Sequence, residues 1–146
     1  MIHHDRCSAA RGGTAIFYKW NGKGREDERE VPELFTKAVA YQIITDMSKR
    51  IQDLFPGETI DIILFGSYAR NEETDESDID VIYLVDASRA TISDRNWQIG
   101  EAAADLIMEY GVVISPVVEN REYFQQNADV LPFFANIRRE GVRISA

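Results

Sequence analysis

The sequence predicts a two-layer α/β fold, in which a small mixed β-sheet is backed by helices. One observation is the length, because 146 residues is close to the commonest size of a single domain and is enough to bury a core. The other is the order of periodic segments, which from residue 32 onward is helix, strand, short helix, strand, helix, strand. No internal repeat or low-complexity linker interrupts this order. We therefore expect one domain over residues 32–146.

Residues 1–31 differ from the rest and are expected to form an irregular N-terminal arm. Glycine-rich stretches and a charged run give them no clear period. Ala15–Trp20 is the only strand-like segment here, and it would be an edge strand. His3 and His4 are the only histidines. At a chain terminus we interpret them as unstructured rather than as metal ligands.

The first predicted helix begins after Pro32 and ends at Pro56-Gly57. Its apolar side chains recur at helical spacing, which predicts one face packed on the sheet. These side chains are Ala40, Ile44, Met47, Ile51 and Leu54.

Two short apolar runs, Ile60–Phe65 and Ile79–Val85, are predicted to be buried strands. The first ends at Gly66, where a residue without Cβ lets the backbone bend and come close to a ligand. Ser67 follows and offers a hydroxyl and an N–H at the start of a predicted short helix, Tyr68 to Asn71. Anionic oxygens would be accommodated at this turn.

The second half of the chain predicts three helices and one strand. Ser93 is expected to cap a helix that Gly111 ends, and the strand Val112–Val118 follows. Asn120 is expected to cap a helix through Gln126. The last helix, Leu131 to Glu140, carries an aromatic pair, Phe133 and Phe134, that is interpreted as core.

Asp78 and Asp80 are the candidate metal ligands. Residues i and i+2 of a strand share a face, so both carboxylates point the same way at the start of the second strand. Two adjacent carboxylates repel each other unless a cation joins them. Mg²⁺ carrying waters and a substrate phosphate suits this pair, whereas the absence of nearby His and Cys argues against zinc. The alternative is a purely structural role, in which Asp78 and Asp80 are solvated carboxylates and Gly66-Ser67 is an ordinary turn.

The segments Leu64–Arg70 and Ser77–Val81 resemble the minimal (MNT-type) nucleotidyltransferase domains of the DNA polymerase beta superfamily. The signature of that family is Gly-Ser, a spacer and Asp-x-Asp, and the spacing here, Gly66-Ser67 to Asp78-Ile79-Asp80, matches it without a gap. The resemblance covers about residue 33 to the C-terminus. It implies the nucleotidyltransferase fold for this α/β domain.

The resemblance implies a magnesium-dependent transfer of a nucleoside monophosphate, AMP from ATP, to a hydroxyl acceptor. Gly66, Ser67 and Arg70 are then the nucleotide-binding residues, while Asp78 and Asp80 bind metal and are catalytic. Stand-alone domains of this kind commonly pair with HEPN-domain toxins as antitoxins, in some cases by adenylylating a tyrosine of the toxin. A HEPN-domain protein is therefore an expected partner, and the oligomeric state stays open.

One departure from the family is Ser115. Many active members carry a third carboxylate on the later strand, where the hydrophilic side chain of this sequence is Ser115. A hydroxyl cannot neutralise a metal or accept a proton as an aspartate does. Asp61 and Glu119, at strand ends, are interpreted as solvated charges rather than substitutes. The alternative hypothesis is a catalytically weakened binding module that neutralises a partner by contact.

The charge of the chain argues against nucleic acid as a partner. With 25 acidic and 16 basic side chains the net charge is −9, a sign that repels DNA and RNA backbones. The acidic run from Glu72 to Asp80 predicts that metal and nucleotide bind together. We expect a cytoplasmic protein, because Cys7 is the single cysteine and no secretion signal or membrane-spanning run is present.

Overall fold

The computed structural model describes residues 5–9, 15–20, 26–27 and 33–144. The chain forms two compact units, residues 1–42 and 43–146. The elements within the described residues are β1 (Asp5–Ala9), β2 (Ala15–Trp20), β3 (Glu26–Asp27), α1 (Glu33–Leu54), β4 (Asp61–Phe65), α2 (Gly66–Ala69), β5 (Ile79–Val85), α3 (Arg89–Asp94), α4 (Asn96–Tyr110), β6 (Ile114–Asn120), α5 (Arg121–Asn127), α6 (Pro132–Glu140) and β7 (Val142–Ile144).

The first unit contains an antiparallel sheet of three strands in the order β1-β2-β3. Ala15–Trp20 is a strand as predicted, but it pairs with β1 on one side and β3 on the other, so it is central rather than an edge strand. His3 and His4 lie outside the described residues, as does much of the predicted arm over residues 1–31.

The second unit contains a mixed four-stranded sheet in the order β6-β5-β4-β7. β4 is antiparallel to both β5 and β7, and β5 is parallel to β6. The prediction of an α/β fold with a small mixed sheet backed by helices is confirmed. β7 was not expected; it pairs with β4 through Leu64 and Val142. None of the helices in the described part of the chain combines the length and apolarity that a membrane span requires.

Helices α1 and α4 lie on one face of this sheet. Tyr83 of β5 is fully buried and its hydroxyl donates to the main-chain oxygen of Ile44 in α1, at 2.8 Å. Burial raises the pKa of this phenol well above its usual range, so the hydroxyl remains a donor. The Tyr110 hydroxyl at the end of α4 donates to Asp46 of α1, which holds the two helices side by side.

Helices α5 and α6 cover part of the opposite face. Each large apolar side chain buried in this core contributes ~1.5–3 kcal/mol relative to exposure. The buried cluster consists of Ile63, Ile82, Leu84, Phe124, Ala128, Phe134 and Ile137. Asp80 shares this face two residues before Ile82, so it lies just beyond the core.

Two helix starts differ from the predictions. The helix that Gly111 ends, α4, begins at Asn96 after Arg95 rather than at Ser93. Ser93 lies inside the separate helix α3, whose N-cap is Ser88; the Ser88 hydroxyl accepts from the Thr91 N–H at 3.2 Å. α2 begins at Gly66 rather than at Tyr68. The predicted cap at Asn120 is confirmed, because its side chain accepts from the Tyr123 N–H at 2.8 Å.

The aromatic pair of α6 is split between core and surface. Phe134 is buried as predicted, whereas Phe133 is 48% exposed. The reason is helical geometry: Phe134 and Ile137, three residues apart, share the face that packs on the sheet, and Phe133 is rotated away from it.

Candidate active site

The turn after β4 brings main chain against a carboxylate. Phe65, the last residue of β4, pairs with Asp80 of β5. Gly66 follows with φ of +73°, in the left-handed region that favours glycine. A Cβ at this position would meet the Asp80 carboxylate, coming against Oδ2 and 3.1 Å from Cγ. Glycine is therefore required both by the backbone conformation and by the neighbouring side chain.

Asp78 and Asp80 stand at the start of β5. Asp80 is partly buried within the strand, and Asp78 is exposed just before it. Burial raises the pKa of the Asp80 carboxyl; the charge of Asp78 raises it further, while the guanidinium of Arg70 lowers it. The charges of Asp78 and Arg70 therefore both lie close enough to the Asp80 carboxylate to act on it.

Side-chain hydrogen bonds shape the acidic loop that precedes Asp78. The Ser77 hydroxyl accepts from the Thr74 N–H at 2.8 Å, and the Ser77 N–H donates to the main-chain oxygen of Thr74 at 3.0 Å. The Thr74 hydroxyl accepts from the Glu76 N–H at 3.3 Å. This closed turn sets the direction in which the chain enters β5 and so positions Asp78.

Helix α2 is held in place by Tyr68. Its side chain is 7% exposed, and its pKa is raised by burial and by the charges of Glu73 and Asp75. The Arg70 N–H donates to the oxygens of Gly66 and Ser67, at 3.2 Å each. Ser67 itself remains partly exposed, so its side chain is accessible at the mouth of the strand.

Arg70 links α2 to the end of α6. Its Nε donates to Glu72 at 3.1 Å, and its Nη1 donates to Glu140 at 3.3 Å. Glu140 could not be predicted as a neighbour of this site, because it lies 70 residues from Arg70 and no local pattern connects them. The arginine side chain is 41% exposed and remains accessible to a further anion.

Ser115 occupies the position beside Asp80 on the neighbouring strand. β5 and β6 are parallel, and Asp80 pairs directly with Ser115, so both side chains project from the same face. The later strand thus offers a hydroxyl beside Asp80. Across the described ranges, no group of three or more His, Cys, Asp or Glu side chains is arranged to hold a metal ion.

Asp61 and Glu119 lie at the other end of the sheet. Both pair with Leu84, four residues and about 13 Å along β5 from Asp80. The expectation that both are solvated charges is wrong, because each binds an arginine. Asp61 accepts from Arg121 at 2.8 Å, and the buried Glu119 accepts from Arg89 at 3.2 Å. Their roles are ion pairs that hold strand ends to helices.

The residues present fit a divalent cation of the magnesium type. The donors are oxygen atoms only, and Mg²⁺ is usually bound through one or two carboxylates together with waters and substrate phosphates. Burial and the charge of Asp78 both raise the pKa of Asp80, so both disfavour its ionised form. A cation between Asp78 and Asp80 would remove that cost.

Comparison with known proteins identifies a family. Residues 44–140 match the family model described as "Nucleotidyltransferase domain". This range includes the glycine turn, both aspartates and the helix that carries Glu140. No solved structure matches the chain significantly.

Three proteins of Methanocaldococcus jannaschii are similar to the chain. "Putative protein adenylyltransferase MJ0604" is 34% identical over 98 residues, which are 67% of this chain and 90% of that protein. "Putative protein adenylyltransferase MJ0141" is 34% identical over 53% of this chain and 76% of its own length. "Putative protein adenylyltransferase MJ1305" is 32% identical over 55% of each.

Proposed function

Because the chain belongs to the nucleotidyltransferase domain family, we propose that it transfers AMP from ATP to a hydroxyl group of an acceptor protein, with Mg²⁺ held by Asp78 and Asp80. The observation that carries this proposal is the Asp80 carboxylate, packed against the main chain of Gly66 and close to Asp78. The choice of AMP and of a protein acceptor rests on the names of the three similar proteins.

The reaction forms one bond and breaks one. The acceptor oxygen attacks the α-phosphorus of ATP, the bond between the α-phosphorus and the bridging oxygen breaks, and pyrophosphate leaves with that oxygen. The proton of the acceptor hydroxyl passes to water or to a basic group of the acceptor. Bound Mg²⁺ would supply neutralisation of the phosphate charge and stabilisation of the attacking oxygen.

The residues of the chain contribute positioning and charge. Gly66 lets the phosphates approach the main chain closely, and the Ser67 hydroxyl can donate to a phosphate oxygen. Arg70 offers a guanidinium, a group suited to paired contacts with phosphate. Its present partners, Glu72 and Glu140, hold it beside Asp80 so that little ordering is needed when the triphosphate binds.

The acceptor we propose is a tyrosine of a HEPN-type toxin, which makes the protein an antitoxin acting in the cytoplasm. A protein acceptor fits the net charge of −9, because this field opposes nucleic-acid substrates. A protein acceptor also fits the size of the second unit, residues 43–146, because the sheet and its covering helices account for the described part of this unit. A second protein would then supply the acceptor hydroxyl.

The test is incubation of the purified chain with α-labelled ATP and Mg²⁺, with and without the candidate toxin, followed by detection of covalent label. We expect label on the toxin that disappears in Asp78→Asn and Asp80→Asn. Asp94→Asn, an exposed carboxylate at the end of α3, is the matched control and should label normally. A wild-type protein that binds the toxin but transfers no label contradicts the proposed reaction.

A contact-only antitoxin is the second candidate, and Ser115 is the observation that favours it. Without a carboxylate beside Asp80, one source of metal binding and proton acceptance is missing. This hypothesis predicts that Asp78→Asn and Asp80→Asn still neutralise the toxin. Loss of neutralisation with intact folding and toxin binding supports the transferase instead.

A further inference from the structure

Phe133 is a large apolar side chain that the core does not use. It is 48% exposed, whereas its neighbour Phe134 is 6% exposed. Its ring contacts those of Phe65 and Phe134 with centroid separations of 5.6 and 6.0 Å and interplanar angles of 84° and 45°. Since none of these contacts is a parallel stack, the contacts leave part of the ring open to solvent.

The contact with Phe65 places Phe133 beside the candidate active site. Phe65 is the direct partner of Asp80 on the adjacent strand, so the two side chains share a face and their Cα atoms are about 5 Å apart. The ring of Phe133 lies 5.6 Å beyond that of Phe65. Phe65 and Phe133 together form a surface that we call the aromatic shelf.

Helix α6 is attached to the site at both ends. Phe133 contacts Phe65 near its first turn, and Glu140 binds Arg70 at its last residue. Positions seven apart lie on the same side of a helix, so one side of α6 follows the site. The shelf is therefore supported by the same helix that positions Arg70.

We propose that the aromatic shelf stacks against the base of the nucleotide whose phosphates are bound at Gly66 and Ser67. This inference rests on the proposed function. An open phenyl ring offers a π-face and no hydrogen-bonding group, so it binds any base by stacking and favours the larger purines. It follows that Phe133 contributes affinity for the base and little discrimination between adenine and guanine.

The test compares two ligands that differ in the base alone. Dissociation constants of ATP and of ribose 5-triphosphate, which carries no base, are measured in the presence of Mg²⁺ for the wild type and for Phe133→Ala. We expect Phe133→Ala to weaken ATP binding about fivefold to a hundredfold, the range for loss of one base–aromatic stack. Binding of ribose 5-triphosphate should change less than twofold.

Two further variants separate stacking from packing. Phe133→Leu keeps an apolar side chain for the contact with Phe65 and should lose ATP affinity as Phe133→Ala does. Phe133→Trp should retain it. Met108→Ala, at an 86% exposed position of α4, is the matched control for loss of an exposed apolar side chain and should bind both ligands normally.

Each remaining outcome overturns a different statement. Unchanged ATP affinity in Phe133→Ala, or an equal loss for both ligands, overturns the aromatic shelf and leaves the proposed function standing. A wild-type protein that binds neither triphosphate in the presence of Mg²⁺ overturns the proposed function, and the shelf with it. If Phe133→Ala weakens binding of the acceptor protein and leaves binding of both triphosphates unchanged, Phe133 contacts the acceptor and the aromatic shelf is overturned.

Discussion

Replacement of Gly66 by alanine tests the central contact of the site. Gly66 has φ of +73°, and an added Cβ would meet the Asp80 carboxylate. Gly111 at the end of α4 has φ of +71°, and an added Cβ there meets nothing within 4 Å. The two glycines therefore carry the same conformational cost of substitution and differ in the clash with Asp80.

The expected destabilisation follows from these two terms. A left-handed conformation costs a non-glycine residue roughly 1–2 kcal/mol, which is the value expected for Gly111→Ala. An atom forced into an occupied space costs about 1–3 kcal/mol more, so Gly66→Ala should lose about 2–5 kcal/mol. The gain from a less flexible unfolded chain is the same for both variants and cancels in the comparison.

The assay is urea unfolding followed by far-ultraviolet circular dichroism, in EDTA at pH 7. The five variants are the three single substitutions Gly66→Ala, Gly111→Ala and Asp80→Ala and the two double variants that pair each glycine substitution with Asp80→Ala. Loss of the carboxylate removes Oδ2 and Cγ and leaves only the Asp80 Cβ, 3.2 Å from the added atom. In that background the excess cost of Gly66→Ala over Gly111→Ala should become smaller, because only the contact with the Asp80 Cβ remains.

The reasoning is refuted if Gly66→Ala and Gly111→Ala are equally destabilising in the wild-type background. It is also refuted if the excess cost of Gly66→Ala is unchanged by Asp80→Ala, because the clash would then involve other atoms. Nucleotide binding gives a second measurement. Gly66→Ala displaces the Asp80 carboxylate and should abolish metal-dependent ATP binding, whereas Gly111→Ala should preserve it.

Three further predictions concern the same sheet. Burial and the charge of Asp78 raise the pKa of Asp80. The stability that the Asp80 carboxyl contributes is therefore present at low pH and lost as pH rises through its folded-state pKa. Asp80→Asn should raise Tm in EDTA at pH 7, with the difference from the wild type shrinking toward pH 4. Ser115→Asp should tighten Mg²⁺ binding about tenfold by calorimetry and cost the metal-free protein roughly 0.2–1 kcal/mol through like-charge repulsion; weaker metal binding would contradict the register argument. Tyr83→Phe removes the 2.8 Å hydrogen bond to Ile44 and should lower the free energy of unfolding by about 1 kcal/mol, while ATP affinity stays unchanged.

Sequence periodicity was sufficient for the elements that make the site. The strand Ile79–Val85 was predicted with the bounds that the structure has, because a run of buried β-branched residues has few other interpretations. The alternation of side chains also predicts a shared direction for Asp78 and Asp80, of which Asp80 lies within the strand and Asp78 just before it. The cap at Asn120 was also found, since its amide stands directly before a helical pattern.

The features that sequence analysis missed depend on contacts between distant residues. β7 has three residues, Val142–Ile144, too few to show a period, and it is defined by pairing with β4. The helix predicted from Ser93 to Gly111 begins at Asn96, and Ser93 belongs instead to the separate short helix α3, which is capped by Ser88. The exposure of Phe133 likewise depends on how α6 is oriented over the sheet, which its own sequence leaves open.

If Asp80 has the proposed role, the geometry of the site opposes stability and function at this residue. The carboxylate is partly buried against main chain at Gly66 and lies near a second carboxylate, and both conditions disfavour its charged form. Arg70 offsets part of this cost but remains exposed and accessible. A divalent cation with a triphosphate would satisfy the carboxylates and the arginine at once, so metal and nucleotide should each strengthen the binding of the other.

Because Ser115 supplies no third charge to bind metal alone, this chain should depend on that coupling more than a relative with three carboxylates. Ser115→Asp should accordingly raise Mg²⁺ affinity without ATP more than it raises Mg²⁺ affinity with ATP present.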